Sequence, residues 1–239
     1  MIFQKIVRAF YPPQCGLCEA PTETEHALCG SCWADMYFLG RGCQKCGAPL
    51  LGLTDGTDAI CDDCTRIARP WLRGGALLAY KDGGRRFVLA LKHGDRTDLA
   101  LTAGPWMARA ISKLNLHDPV IVPVPLHRSR LRHRRYNQAA LLAVATARHS
   151  RSDVCLDALR RAKRTLPLDG ATRDQRFERL SGAIEVNRKR AARIAGRDIV
   201  ILDDVMTSGA TFSASAEACQ RAGAEKVCVL SLARAIREV

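Results

Sequence analysis

Past residue 70 the chain alternates short unbroken apolar runs with longer stretches in which apolar residues recur every three or four positions. Val120–Val124 (VIVPV) and Asp198–Leu202 (DIVIL) show no polar face, as expected of strands covered on both sides. Ala76–Tyr80 and Lys226–Ala233 are of the same kind. The helical period runs through Arg86–His93, Leu99–Leu114, Asn137–His149 and Thr211–Ala222, the last followed by Gly223 as its stop. A basic loop is expected after Val124, and a basic, less regular stretch over Arg160–Arg197. Strands alternating with helices predict an α/β fold with a mainly parallel sheet.

Before residue 70 no such periodicity is found, and cysteine sets the pattern instead. Eight of the eleven cysteines fall there, as four C-x2-C pairs: Cys15/Cys18, Cys29/Cys32, Cys43/Cys46 and Cys61/Cys64, with 10, 10 and 14 residues between successive pairs. A two-residue spacer aims both thiolates of a pair at one metal, and two pairs complete a closed tetrahedral sulfur site. The spacing therefore predicts two structural Zn2+ sites. Three pairings are open, of which the sequential one (15/18/29/32 and 43/46/61/64) is preferred. So short a segment has too little core of its own, which couples its folding to the metal. The remaining Cys155, Cys219 and Cys228 sit in apolar surroundings and read as small core residues.

Charge divides the chain at the same place. The formal net charge is +13, yet residues 1–70 sum to −2 and residues 71–239 to +15. Two modules are expected: 1–70, an N-terminal helix and double zinc ribbon, and 71–239, an α/β domain that attracts polyanions. Eight thiolates with two zinc ions make the first module more negative still, so scaffolding is its expected role. Ile2, Phe3, Ile6, Val7 and Phe10 share one face of a short helix, expected to dock on the protein itself. Met1–Tyr11 has Lys5 and Arg8 within its apolar pattern and no small-residue cleavage site, a poor secretory signal. No apolar run approaches the roughly 18 residues of a spanning helix. A cytoplasmic protein is expected, its cysteines reduced and available to metal.

The most informative stretch is Ile199–Thr211, IVILDDVMTSGAT. A buried strand is expected to end in Asp203 and Asp204, and a hydroxyl-rich loop then opens a helix. Carboxylates at that edge can accept hydrogen bonds from vicinal sugar hydroxyls. The loop amides and the hydroxyls of Thr207, Ser208 and Thr211 suit a phosphate, with Gly209 allowing close backbone approach. A ribose 5-phosphate is thus implied. Neither a Walker loop nor G-x-G-x-x-G is present, which argues against NTPase and dinucleotide chemistry.

Strand–DDVxTSGxT–helix resembles the phosphoribosyl-pyrophosphate (PRPP) motif of type I phosphoribosyltransferases. With four zinc knuckles ahead of it, nearly the whole chain resembles the competence protein ComF family. Val122–Gln138 (VPVPLHRSRLRHRRYNQ) is similar to that family's VPVP…RGFNQ segment, and Leu91–Asp95 (LKHGD) to its LK…GD. The resemblance implies a type I phosphoribosyltransferase fold. It implies that Asp203 and Asp204 hold the ribose hydroxyls, and that Thr207, Ser208, Gly209, Ala210 and Thr211 hold the 5-phosphate. It places Pro123, Val124 and Pro125 beside the pyrophosphate, with Mg2+ bridging; Lys92, Arg128 and Arg135 are further candidates for that side. Arg135-Tyr136 stands where the family has Gly-Phe, Leu168 where it has Gln, and Arg179 where it has Asn. The last two lie in the segment Arg164…Arg179, expected to form a hood over the substrate. Family members are associated with natural transformation and single-stranded DNA uptake.

Three functions are compatible with these residues. The first is a PRPP-binding ComF-type protein of DNA uptake or processing, with competence-machinery partners and phosphoribosyltransferase activity open. The second is a salvage phosphoribosyltransferase acting on a base or small nucleophile. The third is a nucleic-acid adaptor with a vestigial pocket. No residue stands out as a general base. His127–Arg135 packs seven basic or titratable groups into nine positions, with Tyr136 next. It reads equally as a pyrophosphate loop and as a track for single-stranded DNA with an aromatic available for stacking. Trp33 and Trp71 are expected to pack between the modules.

Overall fold

A computed structural model describes residues 11–50, 59–162, 172–180 and 182–236, with the side chains of His133, Arg173 and Asp174 excepted. The apolar face at Ile2–Phe10, the segment Arg164–Leu168 and the Arg173 side chain therefore lie outside the described residues.

Four apolar runs become the body of a parallel sheet: β1 (Arg73–Ala79), β2 (Val120–Pro123), β6 (Asp198–Met206) and β7 (Lys226–Arg234), with the short β3 (Asp153–Val154) at one edge. The strand order is β1-β7-β6-β2-β3, all parallel. This is the expected α/β architecture. Alternate residues serve opposite faces, which is why these strands lack a polar side. Ile199 and Ile201 enter one core with Val122, Trp71 and Phe212, whereas Val200 and Leu202 enter the other with Ile121, Phe87 and Met107.

Helices cover both faces. The face holding Val200 and Leu202 is covered by α3 (Asp82–His93), α4 (Leu99–Ile111) and α6 (Gln138–Ser150), and the opposite face by α8 (Ala210–Arg221). The stretch expected to be irregular contains a two-stranded antiparallel hairpin of β4 (Leu159–Arg161) and β5 (Ile184–Val186), α7 (Arg173–Leu180), and a 3-10 turn over Arg188–Arg193. Strands of three residues and a helix with few apolar positions carry too little periodicity to be read from sequence.

The cysteine-rich segment contributes two single-turn helices, α1 (Gly30–Ala34) and α2 (Asp62–Arg66). It covers the free edge of β1, which would otherwise present unpaired backbone groups. Phe38 bridges Leu78, and the amides of Leu39, Ala79 and Gly74 donate to the carbonyls of Leu77, Tyr37 and Gln44. Trp71 is buried edge-on to Phe212, their centroids 6.3 Å apart. Trp33 stays half-exposed, packed on Phe38 and on Trp106 of α4. Cys155, Cys219 and Cys228 are buried, as their apolar surroundings imply.

Candidate functional site

The chain leaves β2 through α6 toward β3, and leaves β6 through α8 toward β7. Because β2 and β6 are neighbours with connections departing in opposite directions, a crevice opens beyond their carboxyl ends. The segments that line it are Pro123–Pro125 and Asp203–Thr211. The backbone keeps them together: Pro123 is in register with Leu202, and the Val124 amide donates to the Leu202 carbonyl at 2.9 Å.

One expectation is corrected here. The strand does not end at the paired acids; β6 runs through them to Met206, because Asp203, Val205 and Met206 stay paired with Ser231, Ala233 and Arg234 of β7. Strand alternation then sends the two carboxylates to opposite faces. Asp204 lies on the α3 side, where its Oδ1 is 3.0 Å from Lys92 Nζ. Asp203 lies on the hairpin side, within the field of Arg161. Burial, followed by the neighbouring Asp204 charge, raises the Asp203 carboxyl to about 8, with Lys92 working against both. Burial, then the charge of Arg130, lowers the Arg161 guanidinium from its ordinary value.

Lys92 is placed by a single tripeptide. Tyr136 Oη donates to the Leu91 carbonyl at 2.9 Å, Gln138 Nε2 to the Lys92 carbonyl at 3.4 Å, and Asn137 Nδ2 to the Val124 carbonyl at 3.0 Å. Asn137 Oδ1 also caps α6 by accepting from the Ala139 amide. The end of α3, the turn after β2 and the start of α6 are thereby tied at one point.

The basic segment after Pro125 is not a loop. Arg128–Arg134 forms α5, capped by His127 Nδ1, which accepts from the Ser129 amide. Arginine is a good helix former, and a run of like charge hides this from a reading by apolar period. The helix ends on Arg135 at φ 66°, in the left-handed region that glycine occupies without cost, so its strain follows from the departure from Gly. Arg128 and Arg135 are exposed, whereas Arg130 between them is partly buried.

Beyond Met206 the chain turns through Thr207, Ser208 and Gly209 into α8, whose first turn holds Ala210 and Thr211. Gly209 has φ 83°, and a Cβ there would come within 2.8 Å of Arg69 Nη1. Arg176 of α7 donates to Thr207 Oγ1 at 3.0 Å. A cleft of about 880 Å³ borders the loop, lined by Thr207, Ser208, Arg176, Arg66 and Asp62 among others.

Two residues not foreseen from the sequence hold the loop from behind. Arg69 Nη1 donates to the Ser208 carbonyl at 2.9 Å; Arg234 Nη1 donates to the carbonyls of Met206 and Thr207 at 3.0 and 2.6 Å. Both arginines are buried. A signal for Arg234 was present: a lone charge closing an apolar parallel strand, on the same sheet edge as Asp203.

The eight knuckle cysteines form two groups, Cys15/Cys18/Cys29/Cys32 and Cys43/Cys46/Cys61/Cys64, with the ligand sulfurs of each group all within 4.8 Å of one another. This is the sequential pairing. Zn–S bonds of about 2.3 Å place tetrahedral sulfurs about 3.8 Å apart. The 3.4 Å of Cys18–Cys29 and 3.6 Å of Cys46–Cys61 are close to that spacing. Both clusters are consistent with structural zinc, each closed by four sulfurs and offering no open position.

Comparison with known proteins agrees with this architecture. The double zinc ribbon domain family matches residues 6–65. DNA utilization protein YhgH of Escherichia coli strain K12 is 27% identical over 232 residues, covering 94% of this chain and 98% of the relative. Its Salmonella typhimurium counterpart is 28% identical over the same shares. Competence protein F of Haemophilus influenzae is 30% identical over 115 residues, 48% of this chain and 50% of the relative. Solved structures that align include TT1426 from Thermus thermophilus (18% identity, TM-score 0.36, 59% of this chain and 85% of that one). A hypoxanthine phosphoribosyltransferase from Staphylococcus aureus aligns at 11% identity and TM-score 0.38, over 56% and 62% of the chains. Among the described residues no helix is long and apolar enough to cross a membrane. The chain is therefore similar over nearly its whole length to DNA utilization protein YhgH and over about half of it to competence protein F, with a double zinc ribbon at residues 6–65, in line with the ComF-family resemblance of its motifs.

Proposed function

We propose that this protein binds PRPP, or another ribose 5-phosphate, at the carboxyl ends of β2 and β6 and acts in DNA uptake or processing. One observation carries the ligand reading: a paired carboxylate and a hydroxyl-rich loop opening a helix stand at the crevice between two parallel strands whose connections diverge. The DNA role is supported by the printed names of the relatives, DNA utilization protein and competence protein F. Residues 1–70 are the zinc-bearing scaffold in this reading, and residues 71–239 the ligand-binding domain.

Each residue has a stated part. Asp203 and Asp204 accept from the ribose hydroxyls. Thr207, Ser208, Gly209, Ala210 and Thr211 hold the 5-phosphate through amides and hydroxyls. Pro123, Val124 and Pro125 pass beside the pyrophosphate, with Lys92, Arg128 and Arg135 as its cationic neighbours. Asp203 and Asp204, on opposite faces of the strand, are each a hard oxygen donor of the kind Mg2+ takes, and the ion would supply charge stabilisation on the departing pyrophosphate when bound. Lys92 neutralises Asp204 before ligand arrives, so binding exchanges that ion pair for contacts with ligand. Should a nucleophile attack C1 of the ribose, the C1–O bond to pyrophosphate breaks and the leaving group takes the electron pair.

The test is a calorimetric titration of the zinc-loaded protein with PRPP and Mg2+, beside the Asp203→Asn/Asp204→Asn variant. Binding by the wild-type protein and its loss in the variant is the expected result. No binding by a folded, zinc-loaded wild type sinks the ligand reading and leaves a nucleic-acid adaptor. Product formation with a panel of bases separates a sensor from a salvage transferase.

A further inference from the structure

The loop at Thr207–Gly209 and the second cysteine cluster share two buried cations. Arg69 Nε donates to Cys64 Sγ at 3.4 Å while its Nη1 donates to the Ser208 carbonyl. Arg234 Nη2 lies 4.0 Å from Cys46 Sγ while its Nη1 serves Met206, Thr207 and Ala235. Each guanidinium thus spans from a sulfur of the cluster to a carbonyl of the loop. Arg69 also lies over the rings of Trp71 and Phe177, at 5.4 and 6.0 Å.

Charge gives the second cluster a part in holding these two arginines. Both arginines are buried, Arg234 at the wall of the cleft beside the loop, and a buried cation without a counter-charge is costly. Arg69 Nη2 and Arg234 Nε are in fact buried without a hydrogen-bond partner. Four thiolates around Zn2+ carry a net charge of −2, which matches two guanidinium groups.

Peptide geometry explains what the arginines do. The bonds here are trans, so each N–H points opposite to the carbonyl of its own peptide plane. With the carbonyls of Met206, Thr207 and Ser208 all turned to the arginines, the amides of Thr207, Ser208 and Gly209 turn to the other side. Three successive amides on one side make a concavity for an anion.

We propose that the second zinc cluster is the anchor of the phosphate loop, acting through Arg69 and Arg234 as positioning residues. Metal retention at Cys43/Cys46/Cys61/Cys64 and anion binding at Thr207–Gly209 are then linked, each strengthening the other by the same factor. The linkage with ligand rests on the ribose 5-phosphate reading above; the anchoring does not.

The test uses the full-length zinc-loaded protein, with hydrogen exchange across residues 206–210 and the rate of zinc loss to a chromophoric chelator as readouts. Arg69→Met and Arg234→Met should each speed loop exchange and the loss of one of the two zinc ions by about tenfold, the scale of one charged hydrogen bond. Arg69→Lys should recover part of both effects. Cys64→Ser, which empties the second cluster, should loosen the same amides, and Cys18→Ser, which empties the first, should leave them unchanged. Folded arginine variants with wild-type exchange and wild-type zinc retention would overturn the proposal, as would a Cys64→Ser protein with a protected loop. Adding ribose 5-phosphate should slow loss of the second zinc in the wild-type protein. If it does not, while the arginine variants still loosen the loop, the anchor stands and the ligand reading falls.

Discussion

The two cysteine clusters have the same four ligands and nearly the same spacing, yet they occupy different environments. In the first, Cys18 is exposed and Cys29 partly so; the sulfurs meet the Leu17 amide, the Ser31 hydroxyl and each other. Half-exposed Trp33 and Phe38 stand beside it, each edge-on to Trp106 of α4. In the second, Cys43 and Cys46 are fully buried and share a core with Trp71, Phe212 and Val229, under the loop that follows Asp204. Ligand chemistry is therefore a poor guide to what a structural metal does. Its neighbours decide whether it stands in a peripheral lobe or behind the Thr207–Gly209 loop.

Removing a ligand from each cluster gives the strongest contrast. Cys64→Ser should lose one zinc and lower global stability by about 3 kcal/mol or more, since it strands Arg69 in the core without its counter-charge. Cys18→Ser should lose one zinc at much smaller cost to the α/β core. Metal analysis beside denaturant unfolding checks both, and equal losses would erase the distinction.

A smaller effect is expected on the loop itself. Gly209→Ala places a Cβ at φ 83° against Arg69 and should cost about 2 kcal/mol. The same change should weaken ligand binding while both zinc ions stay bound. If binding survives in the folded variant, the backbone there does not need its left-handed turn.

A separate test is a pH profile. Asp203 has its carboxyl raised to about 8, so between about pH 4 and pH 8 the folded state holds a proton that the unfolded state has released. Stability from this group therefore falls as pH rises through that window and levels above it. Asp203→Asn should flatten the slope of urea unfolding between about pH 6 and pH 8 and stabilise the protein at the upper end. An unchanged slope would place the titrating group elsewhere.

Much of this was legible because it is periodic or chemically explicit. The buried runs at Val120 and Asp198 announced a parallel sheet, four C-x2-C pairs announced two sulfur sites, and the acids beside a hydroxyl-rich loop announced a sheet-edge site. Less was legible where signals compete. Arg128–Arg134 is a helix that its charge disguised, β6 runs through its two acids to Met206 because β7 pairs with it, and the hairpin of β4 and β5 is too short to show a period.

The sequence by itself determined the ligands of the metals, the strands and the residues at their carboxyl ends, because those follow from local spacing and period. Only the tertiary structure decided that Asp203 and Asp204 face apart, that Lys92 reaches Asp204, and that one zinc cluster sits behind the loop with Arg69 and Arg234 between them. Those relations join residues as far apart as Cys46 and Arg234. No local pattern encodes such contacts; burying two cations beside a thiolate cluster is a condition that the folded chain alone can meet.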